Sequence, residues 1–256
     1  MSEDRARLRS LLGAGTALWA GSGNIRVEQG CWTALSGAPS ADYNVCLYHG
    51  EAASPEISQK IEEIVAAAVP TVIMLAGAAL SDAQTLVDAG WVCVGAVPFM
   101  ANALSARAVR DEPDAGAARR LTLAELGSAR ELVEAAFGVA PEIAAGVALP
   151  DSAASTPGQS VWGMHDADGT LVSCVAMIDV EDAIVTWSMS TPPAERRHGY
   201  GRRLLNAALD DAALRGVRLA LHYSSYVGLP FYRALGFEEL EHWQLWSRPR
   251  WVLGRA

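Results

Sequence analysis

The sequence predicts a mixed α/β protein built from two lobes, and three observations support this prediction. Apolar runs typical of strands alternate with helix-periodic segments along the whole chain. The apolar pattern breaks once, at residues 108–120, where acidic residues, Pro113 and Gly116 interrupt it. The two halves also close alike, each with a short helix ended by glycine and an aromatic residue, in residues 81–91 and 228–237. We therefore expect a duplicated fold with mixed sheets.

The break in composition divides the chain into domains. We place a first domain at 1–107, a linker at 108–118 and a second domain at 119–256. The chain has 256 residues, of which 51% are hydrophobic and 19% are charged. It is therefore long and apolar enough to bury a full core.

Charge and cysteine usage exclude several classes of function. A formal net charge of -9 argues against a nucleic-acid partner, which would require a basic face. The cysteines are far apart within apolar runs, without the close pairs of a zinc site or the density of a secreted disulfide scaffold: Cys31, Cys46, Cys93 and Cys174. We expect buried thiols in a reducing cytoplasm, no metal and no nucleic acid.

Two segments resemble targeting or membrane signals. Residues 11–20 follow three arginines as in a signal peptide, but Glu3 and Asp4 precede them and glycines dilute the apolar run. An amphipathic helix is therefore favoured over a signal peptide. The uncharged run 64–80 is shorter than the ~20 residues of a membrane helix, and Pro70 divides it. We expect no membrane segment.

The elements of the first half follow from periodicity and caps. Ser81 is the expected N-cap of a short helix that Gly90 ends. The predicted helices lie at 4–19, 55–68 and 81–89. The predicted strands lie at 31–36, 44–49, 71–75 and 91–100.

The second half contains a strand meander followed by a helix and further strands. An Asp-Gly turn at 166–169 joins two alternating runs into a hairpin, Ser128 is the expected cap of one helix, and Gly216 ends another. The predicted helices lie at 128–137, 141–149, 204–212 and 229–235. The predicted strands lie at 160–165, 170–180, 183–191, 217–224 and 240–247.

Residues 194–205, AERRHGYGRRLL, place four arginines and two glycines at the predicted start of a helix. Backbone N–H groups at a helix N-terminus bind anions, and Gly199 and Gly201 permit close approach. Leu204 replaces the third glycine of a dinucleotide fingerprint, and the Gly-Lys-Ser/Thr of a Walker loop is missing. The segment predicts an anion site, with a solvated arginine face beside a turn as the alternative.

Together with residues 225–237, SYVGLPFYRALGF, this segment resembles the GNAT superfamily of acyl-CoA-dependent N-acetyltransferases. Arg196, Gly199 and Gly201 fill the family's Q/R-x-x-G-x-G/A motif, and Tyr232 with the following LGF fills its Y-x-x-L-G-F ending. The likeness spans about residues 119–249 and implies that the anion is the pyrophosphate of coenzyme A, with acetyl-CoA as co-substrate. The cofactor-binding residues that it implies are Met189, Ser190, Thr191, Arg196, Arg197, His198, Gly199, Tyr200, Gly201, Arg202 and Ser225.

The resemblance also implies how the site works. The strand end at residues 189–191 would offer backbone groups to the pantetheine arm and the thioester, and Tyr232 would act as general acid toward the departing thiolate. A tyrosine that packs a helical turn on the sheet is the alternative. The region where some family members carry a glutamate base has no carboxylate here, so Asp179, Asp182, His222 and ordered water remain candidate bases.

The first half lacks the residues of such a site. Its strand at 44–49 is followed by the acidic segment GEAASPE at 50–56, and Leu86 stands where Tyr232 stands in the second closing unit. The resemblance therefore implies a tandem protein with a complete C-terminal lobe. The degenerate N-terminal lobe would serve as a structural or acceptor-shaping partner.

The sequence thus predicts an N-acetyltransferase that moves an acetyl group from acetyl-CoA to a primary amine of a small molecule. The alternatives are transfer from another acyl-CoA, such as succinyl-CoA or propionyl-CoA, and a non-catalytic CoA-binding or regulatory module. The sequence does not specify the acceptor, although Phe137, Trp162 and Trp187 could line an apolar acceptor site. We expect a cytoplasmic monomer or homodimer.

Overall fold

The computed structural model describes residues 2–19, 24–28, 30–49, 59, 62–64, 66, 69–104 and 118–252. The described residues form two compact units that are not contiguous in sequence. The first unit runs to Met100 and also includes Tyr223–Leu229 and the chain from Glu239 onward. The second unit consists of Ala101–His222 and Pro230–Glu238. Each predicted domain is one continuous stretch of chain, whereas each compact unit is made of separate segments.

The first unit is a mixed sheet with helices. Its strand order is β1-β2-β3-β4-β11-β5, in which β3 and β4 are parallel and the pairs β1–β2, β2–β3 and β4–β11 are antiparallel. Its strands are β1 (Asn24–Glu28), β2 (Cys31–Leu35), β3 (Asn44–Tyr48), β4 (Val72–Leu75), β5 (Val92–Ala103) and β11 (Glu238–Ser247). Its helices are α1 (Ser2–Trp19), α2 (Ala83–Asp88) and α8 (Pro249–Val252), with 3₁₀ turns at Ala41–Tyr43 and Gly77–Asp82.

The C-terminal strand β11 belongs to the first unit because its side chains complete that unit. Glu241 accepts two hydrogen bonds from Arg9 of α1, at 2.6 Å from Nε and 2.5 Å from Nη2. Trp246 packs into the apolar cluster around Leu86 and Trp91. The carboxylate and the guanidinium are both largely buried, so each neutralises a charge that would be costly alone.

Two sequence predictions for the first unit change in the structure. Ser81 is not the N-cap of α2, because a 3₁₀ turn precedes the helix and the Ser81 hydroxyl donates to the carbonyl of Ala78. The helix expected at 55–68 lies largely outside the described residues, although residues 59, 62–64 and 66 are helical. The GEAASPE segment also lies outside the described residues.

The second unit has the strand order β10-β9-β8-β7-β6, in which β9 and β10 are parallel and the other neighbouring pairs are antiparallel. The strands are β6 (Ala118–Arg120), β7 (Gln159–His165), β8 (Leu171–Val180), β9 (Ala183–Ser190) and β10 (Leu219–Tyr223). The helices are α3 (Leu126–Phe137), α4 (Pro141–Ile143), α5 (Ser152–Ser155), α6 (Tyr200–Leu214) and α7 (Leu229–Ala234), with 3₁₀ turns at Leu123–Glu125 and Pro193–Glu195. The predicted α/β class is therefore confirmed.

Local details of the second unit differ from the predictions. Ser128 does not cap α3, since a reciprocal capping box between Thr122 and Glu125 starts the helical segment earlier. The helix expected at 141–149 is a short α-helical turn followed by a π-helical turn at Ala144–Ala148. Within the described parts of the chain, no helix has the length and apolarity needed to cross a membrane.

The two predicted closing units share one turn geometry. The glycine before each closing aromatic residue has a positive φ, +78° at Gly90 and +88° at Gly236. The N–H of each aromatic residue donates back to the helix, from Trp91 to the carbonyl of Leu86 at 2.9 Å and from Phe237 to the carbonyl of Tyr232 at 3.1 Å. Leu86 therefore occupies in the first unit the backbone position that Tyr232 occupies in the second.

Candidate functional site

The parallel strands β9 and β10 part after a short ladder. Their pairing covers three positions and ends at Leu221 opposite Val185. Beyond that point, Nδ1 of His222 lies 3.0 Å from Oγ1 and 3.1 Å from the carbonyl oxygen of Thr186. In the first unit, β3 and β4 pair over four positions, up to the last residue of each strand. The parting of the parallel strands is thus a property of the second unit.

The helix α6 begins at an exposed loop with unusual backbone angles. Arg197 has φ +69° and Gly199, the N-cap of the helix, has φ +79°. A Cβ on Gly199 would meet no heavy atom within 4 Å, so this glycine faces open space. The first-turn N–H groups of a helix lack intrahelical acceptors and carry the positive end of its dipole. This end of α6 can therefore hold an anion.

The two glycines of the motif have different roles. A Cβ on Gly201 would lie 2.9 Å from Cε of Met189 and 3.3 Å from Oγ1 of Thr191. Gly201 is thus required for close packing of α6 against the end of β9. The sequence led us to expect that both glycines permit the close approach of an anion. Gly199 fits this expectation, whereas Gly201 is explained by the packing of α6 on β9.

The arginines of the loop divide into two groups. Arg196 donates from Nε to the carbonyl of Thr191 at 2.9 Å and from Nη2 to the carbonyl of Ala136 at 3.3 Å, so it braces the loop. Arg203 lies over the ring of Tyr200, 5.1 Å from its centroid. Arg197 and Arg202 are exposed, as is Arg196, and the ring of His198 lies 5.7 Å from that of Tyr200. The guanidinium groups of Arg197 and Arg202 lie on the surface at the helix N-terminus.

The candidate acid Tyr232 is buried in the second unit and is 5% exposed. Its ring lies 4.0 Å from the His222 ring and 5.5 Å from that of Phe237, centroid to centroid. Burial raises the pKa of the phenol above its usual value, so the hydroxyl is protonated at neutral pH. A buried, protonated phenol is available as a proton donor.

Burial lowers the pKa of His222, whereas it raises that of Tyr232. Desolvation lowers the pKa of its imidazole to about 4, partly offset by the hydrogen bond to the backbone of Thr186. The ring is therefore neutral at physiological pH. Because a carbonyl oxygen only accepts, the contact with the Thr186 carbonyl places the proton on Nδ1 and the basic lone pair on Nε2.

The two candidate aspartates lie away from this arrangement. Asp179 is paired with Arg215 at 2.6 Å, and Asp182 is paired with Arg218. Both aspartates come before β9 in the chain, and β9 begins at Ala183. Met189, near the C-terminal end of β9, lies about 20 Å along the strand from Ala183, at ~3.3 Å per residue. The structure therefore brings His222, and neither aspartate, next to Tyr232.

The remaining predicted residues are distributed as follows. Ser190 and Thr191 lie at and just after the end of β9, and both of their carbonyls accept hydrogen bonds, from Ser173 and Arg196 respectively. Ser225 belongs to the first unit, and its carbonyl accepts the N–H of Leu229.

Of the three aromatic residues considered for the acceptor, Trp162 and Trp187 are buried and Phe137 is 54% exposed. Phe137 is thus the one of the three whose ring is open to a solute. Sequence reasoning missed Thr186 and Ser173, which meet their partners through strand register, and Ser188, whose hydroxyl bonds the carbonyl of Ala148 in the π-helical turn. None of the three belongs to a local motif.

The neutral state of His222 predicts a pH-dependent stability. Its folded pKa of about 4 lies below the ~6.5 of an unfolded chain, so the unfolded state binds more protons between these values. We expect the free energy of unfolding to fall by about 3 kcal/mol from this group as the pH drops from ~6.5 to below 4. Denaturant unfolding across pH should show a flatter profile for His222→Phe. His242→Gln, on the exposed face of β11, is the control, and an equally flat profile there would contradict the assignment.

Comparison with known proteins shows what this arrangement is similar to. Residues 157–239 match the acetyltransferase (GNAT) domain. The chain is similar to a solved GCN5-related N-acetyltransferase from Kribbella flavida, with a TM-score of 0.67 and 19% identity over 95% of each chain. It is also similar to one from Sphaerobacter thermophilus, with a TM-score of 0.61 and 16% identity over 86% of this chain and 76% of that one.

At these identities the solved structures show a shared fold. The segment that matches the GNAT domain contains the parted strands, the loop before α6 and Tyr232. Residues 157–239 therefore match the acetyltransferase (GNAT) domain, and the chain shares its fold with solved GCN5-related N-acetyltransferases.

Proposed function

We propose that this protein transfers an acetyl group from acetyl-CoA to the primary amine of a small molecule, by direct attack within a ternary complex. The observation that carries the proposal is the parting of β9 from β10 in the unit that also holds Tyr232 and the N-terminus of α6. A strand that leaves its ladder can pair through its backbone with an extended amide-bearing chain. The pantetheine arm of coenzyme A is such a chain.

The loop before α6 suits the pyrophosphate of coenzyme A. Gly199 borders open space at the N-cap of α6, and Arg197 and Arg202 are exposed residues of the same loop and first turn. Arg196 contributes indirectly, since it fixes the loop to Thr191 and Ala136. The residues present therefore fit a diphosphate.

The proposed reaction needs one proton donor. The amine nitrogen attacks the thioester carbon, the C–S bond breaks, and the sulfur departs as a thiolate. Tyr232 gives its phenolic proton to that sulfur, which yields free coenzyme A. The attacking nitrogen loses one proton in the same turnover, and this restores the phenol. Burial raises the pKa of the phenol, which keeps the proton on Tyr232 until the thiolate departs.

Two routes exist for the proton that the nitrogen loses. His222 is neutral, carries its lone pair on Nε2, and lies in ring contact with Tyr232. Ordered water is the other acceptor. Asp179 and Asp182 are not proposed, because both are ion-paired before the start of β9.

The first unit is proposed as a degenerate second lobe with a structural or acceptor-shaping role. It has the same sequence of elements, namely an antiparallel meander, a parallel strand and a short helix closed by glycine and an aromatic residue. However, β3 and β4 stay paired to their ends, and Leu86 is fully buried in the core at the position of the acid. Among its described residues, this lobe therefore shows no parting of β3 from β4 and has leucine at the position of the proposed acid.

The stoichiometry of binding tests this assignment of the lobes. Calorimetric titration with coenzyme A should give one site per chain, because strand parting and a glycine-capped loop occur together in the second unit. A stoichiometry of two would contradict the degenerate lobe and favour a tandem enzyme with two active lobes.

Product analysis tests the activity itself. Purified protein is incubated with acetyl-CoA and a pooled library of primary amines, and products are identified by mass spectrometry. An amine heavier by one acetyl group supports the proposal. Product formation only in parallel reactions with succinyl-CoA or propionyl-CoA would indicate another acyl donor. Calorimetric binding of coenzyme A without any acylated amine would indicate a binding module.

A further inference from the structure

The strand β9 is irregular at its C-terminal end. Opposite β8, Trp187 pairs with Ala176 and Ser190 pairs with Cys174, so β9 contains one residue more than β8 over this interval. Such an extra residue is a β-bulge, a device that changes the direction of backbone and side-chain groups. Within the bulge, Ser188 has φ +49°, a left-handed conformation that a non-glycine residue keeps only when its surroundings hold it there.

Hydroxyl groups hold the bulge from both sides. Ser188 Oγ donates to the carbonyl of Ala148 at 2.9 Å, and Ser190 Oγ donates to the carbonyl of Ser188 at 2.9 Å. From β8, Ser173 Oγ donates to the carbonyl of Ser190 at 2.8 Å and lies 2.8 Å from Oγ1 of Thr191. Each of these bonds fixes a group in the last residues of β9 or just after it.

The same network extends to the loop before α6 and to the helical segment after α3. Arg196 bonds the carbonyl of Thr191 and, through its other nitrogen, the carbonyl of Ala136 in α3. Ala148 is the last residue of the π-helical turn, so the Ser188 hydroxyl ties the strand to that turn. The strand end is therefore held between two helical segments and the anion loop of one unit.

We propose that Ser188 is a positioning residue for acyl transfer, whose hydroxyl bond to Ala148 keeps the bulge of β9 in the shape that directs its backbone N–H groups at the thioester carbonyl. The inference rests on the N-acetyltransferase function proposed above. Donors already oriented toward a developing oxyanion stabilise the transition state more than the bound substrate. Loss of the hydroxyl should therefore lower turnover and spare coenzyme A affinity.

Two substitutions separate the hydroxyl from the backbone angle. Ser188→Ala removes the hydroxyl and keeps the restriction on φ, whereas Ser188→Gly removes both. We expect each to lower kcat about tenfold or more while the calorimetric Kd for acetyl-CoA changes less than about threefold. Ser247→Ala is the matched control, because it removes a buried hydroxyl that donates to the carbonyl of Thr71 at 2.8 Å in the first unit. Its kcat should equal that of the wild type.

The outcomes that overturn the inference are distinct. Unchanged kcat in both Ser188 variants shows that the hydroxyl does not position the acyl site. If the affinity for acetyl-CoA falls in proportion to turnover, the hydrogen-bond network serves the loop before α6 and not the acyl site. Unfolding of both variants, with Ser247→Ala folded, shows a purely structural tie. If the wild-type protein acylates no amine with any acyl-CoA, the proposed function fails and the inference falls with it. If the wild-type protein acylates an amine and both Ser188 variants do so at the same rate, the inference fails and the proposed function stands.

Discussion

Tyr232→Phe is expected to lower turnover about 10²-fold or more while acetyl-CoA affinity stays within a few fold of the wild type. The substitution keeps the ring, which is tilted against that of His222 at 4.0 Å and meets Phe237 edge-on at 5.5 Å, so the packing of α7 should persist. Only the proton donor is lost, and the thiolate must then leave unprotonated or take a proton from solvent. Steady-state rates across pH with an amine from the product screen, together with calorimetric titration, measure the two effects.

A second buried tyrosine provides the control for this experiment. Tyr48 is 5% exposed, as is Tyr232, but it lies in the core of the first unit. Tyr48→Phe should leave turnover unchanged. If Tyr232→Phe keeps wild-type turnover, the phenol is a packing group and the proton comes from solvent. If it loses affinity and thermal stability together, the hydroxyl holds α7 in place and the assignment as an acid fails for that reason.

The part of the site that could be predicted from the sequence is the part that is contiguous in the chain. The loop before α6 and the turn around Tyr232 are short segments, and Gly199 and Gly236 within them have the positive φ that such turns require. The separate roles of Gly199 and Gly201 could not be predicted, because they depend on whether β9 lies behind each position.

Contacts made through strand register left no signal in the sequence. Thr186 meets His222 and Ser173 meets Ser190 because β9 pairs with β10 and β8 in one register, and neither pair shares a local motif. Strand direction also decides between the candidate bases. Asp182 and His222 are both close to paired strands in sequence, yet only His222 lies at the end of the ladder where Tyr232 packs.

The segments that make up each unit also could not be predicted from the sequence. A strand's pattern of apolar residues shows that it will be buried, but not which sheet it will join. The bond between Arg9 and Glu241 joins residues at opposite ends of the chain, and the pairing of β11 with β4 places the C-terminal strand in the first unit. Composition could therefore indicate two lobes without indicating which segments each contains.

Gly199→Val is expected to weaken coenzyme A binding by well over tenfold. A Cβ at this position meets no heavy atom within 4 Å, so a branched side chain would extend into open space at the N-cap of α6, where the phosphates are proposed to bind. The substitution also strains the backbone, because Gly199 has φ +79°. Calorimetric titration with coenzyme A gives the affinity, and thermal unfolding gives the cost to stability.

The other end of the same helix provides the matched control. Gly216 has φ +88°, and a Cβ there also meets no heavy atom within 4 Å, but it follows α6 instead of preceding it. Gly216→Val should therefore lose a similar amount of stability and keep the wild-type Kd, since it imposes the strain without obstructing the loop. Equal weakening in both variants would assign the effect to distortion of α6. An unchanged Kd for a folded Gly199→Val protein would reject the loop as the phosphate site, and with it the placement of coenzyme A on which the proposed reaction depends.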